Sequence, residues 1–250
     1  MNCFKIKNVT YLFIIISIAL CSCGANHHLI NNIIYKDADF NYEHLKNNGL
    51  IIGGFSSKLI DLKDEERMKY NSILSNTLLD ELKDAQNIYI INTHQLIAEI
   101  GNGNYLEMMY NFDMEKTIDE EIVHLIKDAI SNAKYMLFAY IRNENIFDNS
   151  CEEYIENSKG KKEIETEYQK TYLLNIEFVM YEIFQEKLVF SNVIHNVAKR
   201  TETRTTRTGL FELFIDNLIQ NVFYGKPAEI NREEVLMKIS KQFAKDLNKM

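Results

Sequence analysis

The chain has 250 residues, 28 of them Lys or Arg and 36 Asp or Glu, for a net charge of −8, with 46% apolar residues, four cysteines and a single proline. An acidic chain of this kind is a poor nucleic-acid binder and does not adhere to anionic lipid headgroups through overall charge. Its length supports one substantial core or two small ones, and its apolar content is that of an ordinary globular protein.

The first 22 residues have the grammar of a secretory signal peptide. Lys5 and Lys7 are the only charged side chains before Cys23, and the apolar run "YLFIIISIAL" spans Tyr11 to Leu20. A basic start, an apolar stretch of about 7–15 residues and a small-residue end define such a signal. The run is shorter than the roughly 20 apolar residues that a spanning helix needs. Two cysteines close it, Cys21 and Cys23, and disulfide, metal and lipid are the uses open to them. The run Leu20-Cys21-Ser22-Cys23 resembles the lipobox of bacterial lipoproteins: a leucine three positions before the modified cysteine and a small residue just before it. Cys23 fits both requirements, with Leu20 and Ser22 as the signal-peptidase recognition residues. Cys21 does not fit, because bulky Leu20 precedes it. A signal peptide with incidental cysteines, or an uncleaved anchor, is the plainer alternative.

The resemblance implies cleavage before Cys23, a diacylglyceryl thioether on its sulfur and, in many bacteria, an N-acyl chain. Two or more acyl chains hold a protein stably at a membrane, where one does so only marginally. The mature chain would then have 228 residues and keep 26 basic against 36 acidic residues, a net charge of −10. Cys151 would be the remaining thiol, so the exported chain is not a disulfide scaffold. In enterobacterial sorting an Asp after the lipidated Cys retains the protein at the inner membrane. Gly24 therefore favours the outer membrane if the host is diderm.

Residues 23–40 read as the lipidated cysteine and a tether, and residues 41–250 as a single α/β domain. His27-His28 in the tether reads as solvated rather than as a metal site. A short helix is predicted near Tyr42–Asn48, stopped by Gly49. "LIIGGF" (Leu50–Phe55) follows as a buried strand. Its Gly53-Gly54 pair lacks a phosphate-loop context, so tight packing or a bulge is expected there. Tyr70, Ile73, Leu74, Thr77, Leu78 and Leu82 recur at helical spacing within a helix over about Asp64–Asp84. "NIYII" (Asn87–Ile91) is a second strand. A helix capped by Thr93 and ended by Gly101 comes next, with His94 on its surface. "GNGN" reads as a turn, and "YLEMMYNF" as another helical piece.

Thr117 with Glu120 reads as a capping box. Behind it Ile118, Ile122, Leu125, Ile126, Ala129 and Ile130 form one apolar stripe, with His124 at its margin. "YMLFAYI" (Tyr135–Ile141) is a central strand. Residues 142–162 are polar and acidic and read as a loop, in which the acids around Cys151 disfavour a reactive thiolate. Tyr172, Leu174, Ile176, Phe178 and Met180 alternate with more polar neighbours in a long strand. Phe184–Lys187 turns the chain into a second long strand, completing an antiparallel hairpin. Its polar extension carries Arg200, Arg204 and Arg207, a candidate anion- or partner-binding ladder. The plainer reading is a solvated strand kept soluble by charge. "LFELFIDNLIQNVF" (Leu210–Phe223) reads as a helix packed on the sheet. Asn231 caps a last helix with Leu236, Ile239, Phe243 and Leu247 on one face.

The fold class is therefore α+β, an α/β sandwich: a mixed sheet of about five strands, including the long antiparallel hairpin, packed with helices. This order resembles the domain shared by the curli-secretion-channel lipoprotein, the penicillin-binding-protein-activator lipoproteins and the N-terminal domain of the Tol-system propeller protein. "LCSC", "LIIGGF" before a long helix, "YMLFAYI" after "SNAK", the hairpin "LLNIEFVMYEIFQEKLVFS" and the closing "KPAEINREEVLMKISKQFAKDL" carry the resemblance. The chain departs from it at the hairpin turn and at Phe190, where the family often has Trp. The resemblance implies a non-enzymatic envelope module, anchored to the membrane through Cys23, that binds an envelope protein or forms a homo-oligomer. No nucleic acid and no cofactor are expected. H-E-x-x-H, G-x-S-x-G and cysteine metal patterns are absent from the sequence, and no catalytic or metal-binding residue is nominated. An oligomeric secretion channel and a cell-envelope hydrolase are the alternatives.

Overall fold

The computed structural model describes residues 25–57, 62–82, 88–156, 162–207 and 229–250. The expected signal peptide with Leu20, Ser22 and Cys23, and the expected helix over Leu210–Phe223, lie outside the described residues. The elements in chain order are β1 (Asn26–Lys36), α1 (Tyr42–Asn48), β2 (Leu50–Ser56), α2 (Asp64–Glu81), β3 (Ile90–Ile91), α3 (Thr93–Ile100), α4 (Asn102–Glu115), α5 (Glu120–Ala129), β4 (Tyr135–Glu156), β5 (Lys162–Glu182), β6 (Lys187–Arg207) and α6 (Arg232–Leu247). The strands form one mixed sheet in the order β1-β6-β5-β4-β2-β3. The α+β class is as expected, with six strands rather than five. The additional strand is β1, in the segment that its weak periodicity marks as a tether.

β2 runs parallel to both β3 and β4. Residues 157–161 and 183–186 are too few for a crossover, so β4 pairs antiparallel with β5, and β5 with β6. The chain moves one way along the sheet from β2 to β3 and back the other way to β4. Crossovers between parallel strands keep one hand, so that reversal carries the helices to the opposite face. Helix α2 packs against one side, where Tyr70 meets Phe55 edge to face at 5.8 Å between ring centroids. Helices α3, α4 and α5 cover the other side, burying Leu96, Met108, Phe112 and Ile126 against Ile51, Met136, Phe138 and Val179.

The chain divides into two compact units. The first comprises His28–Ile146, Tyr172–Val197 and Asn231–Met250. Helix α6 lies in it with Leu236, Ile239, Phe243 and Leu247 all buried, and Phe243 stacks on Phe178 at 4.0 Å. The second comprises Met1–His27, Phe147–Thr171 and Ala198–Ile230. Its described part is mostly β-strand, with Thr166 and Ala198 buried and Lys170 3.8 Å from Asp148.

Several local expectations change. Residues 142–156 are strand rather than loop, because pairing within the sheet satisfies their backbone whatever the polarity of their side chains. Asn92, not Thr93, caps α3, and its side chain and that of Gln95 make a reciprocal capping box. Thr93 is buried instead and donates its hydroxyl to Ile52 O at 3.0 Å. Asp119, not Thr117, caps α5 by accepting from Glu121 N. Helix α4 begins at Asn102, so the expected turn over residues 101–104 contracts to Gly101. Asn231 caps α6 and Gly49 ends α1 as the sequence indicates.

Candidate functional site

The Gly53-Gly54 pair is a bulge in β2. Ile52 pairs with Leu137 and Gly54 with Phe138, leaving Gly53 without a partner in the register. A Cβ on Gly53 would sit 2.5 Å from the Phe138 ring, and Gly54 holds φ at +134° beside Asn71 and Tyr105. The pair serves packing and not phosphate.

Past the bulge, side chains do the work of a strand. β3 pairs with β2 only at Leu50 and Ile51. Farther along β2, Asn71 accepts from Phe55 N at 2.7 Å and Arg67 donates to Phe55 O at 2.8 Å. Arg67 also donates to Asp113 at 2.9 Å. Asp113 accepts in addition from the Ser56 hydroxyl at 2.6 Å and from Ser57 N at 2.9 Å. Asn71 donates to the Tyr105 hydroxyl, whose pKa burial pushes up to about 12. Each of these groups is engaged in joining β2, α2 and α4.

A second polar cluster joins β4, β5, α2 and α6. Arg232 donates to Glu144 at 2.5 Å and lies over the Tyr70 ring, 4.9 Å from its centroid. Tyr172 donates its hydroxyl to the same carboxylate. Burial, with Glu144 beside it, pushes the Tyr172 phenol far above its ordinary range. Burial works against the Arg232 charge, but Glu144, Tyr172 and Tyr70 outweigh it and hold the guanidinium above its usual value. A third cluster centres on Glu177, which takes Lys116 at 2.5 Å and the Ser191 hydroxyl at 3.1 Å.

Among the described residues a cleft of about 260 Å³ is lined by Asp37, Asp39, His44, Lys134, Glu182 and Lys187 over Phe40 and Tyr135. Lys187 pairs with Asp37 and holds its carboxyl below the ordinary value, helped by a hydrogen bond from Asp39 N. The same pairing raises Lys187. The volume falls below the roughly 300–1,000 Å³ of a pocket for a drug-sized molecule. Its lining mixes acidic and basic side chains with two aromatic rings. A smaller hollow of about 130 Å³ lies among Tyr89, Gln95, Glu99 and Asn132.

Of the residues nominated from sequence, Arg200 is half-buried on β6. Arg204 and Arg207 fall on the β6 backbone, and their side chains lie outside what is described. Cys151 is exposed, on β4 and not on a loop. His94 is exposed as expected, and His124, expected at the margin of the apolar stripe, is exposed as well. Among the described residues no three His, Cys, Asp or Glu side chains come together as metal ligands, and no helix is long and apolar enough to cross a membrane. Sequence reasoning missed the Arg67–Asp113 and Arg232–Glu144 pairs, whose partners are 46 and 88 residues apart and share no local pattern.

No protein-family model matches the sequence, and no curated protein matches it. Similar solved structures include the PelC dodecamer from Paraburkholderia phytofirmans, at 9% identity and a TM-score of 0.38 over 89% of this chain and 98% of that one. The hypothetical protein CT253 from Chlamydia trachomatis is 8% identical, with a TM-score of 0.33 over 80% of this chain and 93% of that one. The lipoprotein GNA1162 from Neisseria meningitidis is 7% identical, with a TM-score of 0.28 over 70% of this chain and 97% of that one. Likeness at this level names neither a partner nor an activity for this chain.

Proposed function

We propose that the chain is a membrane-anchored envelope lipoprotein whose folded part is a non-enzymatic binding or assembly module for another cell-envelope component. The observation that carries this reading is Leu20-Cys21-Ser22-Cys23 at the end of a signal-like apolar run. The anchor is the acylated Cys23, and Gly24 directs it to the outer membrane in a diderm host. Two features support the binding role. The Arg67–Asp113 and Arg232–Glu144 clusters are engaged in holding elements together. The charged cleft beside Asp37 and Lys187 suits a protein side chain better than a small substrate.

Fractionation of the native cell tests the anchor. The wild-type chain is expected in the membrane fraction with acyl mass on its Cys23 peptide, and Cys23→Ala is expected to lose both. Equal membrane retention of the variant would sink the lipoprotein reading. Cross-linking in the same cells tests the module. Adducts to one envelope protein are expected, whereas a ladder of self-adducts alone would favour the channel-like assembly.

A further inference from the structure

Strand β1 begins at Asn26, three residues past Cys23, and lies at the end of the sheet beside β6. Four large apolar side chains on it face solvent: Ile30, Ile33, Ile34 and Tyr35, at 46, 53, 60 and 39% exposure. Adjacent strand residues point to opposite faces. The exposure of both Ile33 and Ile34 therefore leaves neither face of β1 covered at that point. Residues 24–36 contain one Lys and no acid, in a chain of net charge −8. The first acid, Asp37, is engaged by Lys187 and accepts from the Tyr35 hydroxyl at 3.3 Å.

We propose that β1 is a second membrane contact, a strand that lies in the headgroup layer of the bilayer in which the Cys23 acyl chains are seated. The inference rests on the lipoprotein reading. A strand rises about 3.3 Å per residue, so Ile30 lies within about 24 Å of the Cys23 anchor and Tyr35 within about 40 Å. The anchor therefore holds the strand at the surface that its side chains suit. Isoleucines supply the apolar contact, Tyr35 has the mixed character favoured at interfaces, and the missing acids remove repulsion from anionic headgroups. The outer edge of β1, unpaired among the described residues, limits the depth. Its backbone groups need water, which the headgroup layer holds and the hydrocarbon core does not.

The chain contains no Trp, so one introduced at β1 reports without background. The experiment uses the full acylated protein carrying Ile33→Trp, reconstituted in phosphatidylethanolamine–phosphatidylglycerol vesicles. Tyr110→Trp on the exposed face of α4 is the control. Flotation and the mass of the Cys23 peptide read the anchor separately, and unchanged thermal melting shows that both variants fold. Expected is a blue-shifted indole emission from the β1 variant, quenched severalfold more than that of the α4 control by lipid brominated near the headgroup end of its chains. A water-like emission from the β1 variant in acylated, floating protein would overturn the proposal and leave the anchor standing. Equal quenching at both positions would also overturn it. A blue shift that bromolipid does not quench and that grows with protein concentration would assign the strand to a second copy of the chain instead. Absence of acyl mass at Cys23 would overturn the anchor and this proposal together.

Discussion

Arg67 holds two acceptors at once, the Phe55 carbonyl and the Asp113 carboxylate, and it is nearly buried while doing so. Its removal takes that donor from the Phe55 carbonyl and leaves the Asp113 carboxylate only Ser56 and Ser57, without a counter-charge, in a place that water reaches poorly. Arg67→Met is expected to lower stability by about 2–4 kcal/mol, read as a shift of the urea midpoint. Arg67→Lys is expected to recover less than half, because a point ammonium cannot span the two acceptors as a planar guanidinium does. Two aspartates give the fold opposite pH signatures. The Lys187 hydrogen bond favours charged Asp37, so its contribution is present above the ordinary value of 3.8 and fades as pH falls through the lowered pKa. Burial favours neutral Asp246, so its contribution is present below 3.8 and fades as pH rises through the raised pKa. Carboxyl NMR titration should place Asp37 below 3.8 and Asp246 above it, and Lys187→Met should return Asp37 towards 3.8. The opposite order of the two would refute the pairing.

β2 shows how an element is completed by its neighbours. Its short contact with β3 leaves backbone groups that Thr93, Asn71 and Arg67 take up from three different positions in the chain. The bulge at Gly53 sits against the Phe138 ring, which itself stacks on Phe112 at 3.9 Å between centroids. Gly53→Ala should therefore cost about 1–3 kcal/mol by overpacking. Gly103, in the first turn of α4, has nothing within 4 Å of where a Cβ would stand. Gly103→Ala should add about 0.5–1 kcal/mol through helix propensity. Denaturation curves of the two variants should move in opposite directions. A matching loss in both would mean that the α4 start has a requirement beyond propensity.

At the scale of the whole molecule, the apolar layers on the two faces of the sheet carry the core of the unit that holds the helices. Phe243 stacks on Phe178 and meets Phe190 at 6.2 Å on the side of α6. Phe243→Ala should open a cavity there and cost about 3–5 kcal/mol. Hydrogen exchange should then quicken first in α6 and in the stretch of β5 around Phe178. An unchanged melting temperature would contradict the buried aromatic stack. The sequence by itself determined whatever depends on near neighbours in the chain. The period-two face of β5, the buried stripe of α6, the caps at Asn231 and Gly49 and the packing role of Gly53-Gly54 are all of that kind. These features are set within a few residues, where backbone sterics and side-chain periodicity act directly. Only the tertiary structure decided that residues 26–36 and 142–156 are strand, that Asn92 and Asp119 cap their helices, and which charges meet. The Arg67–Asp113 and Arg232–Glu144 pairs and the cleft at Asp37 belong to that second class. A weakly patterned, polar segment becomes a strand when a distant strand offers its unpaired backbone, and a charge finds its partner only after the sheet has brought remote segments together.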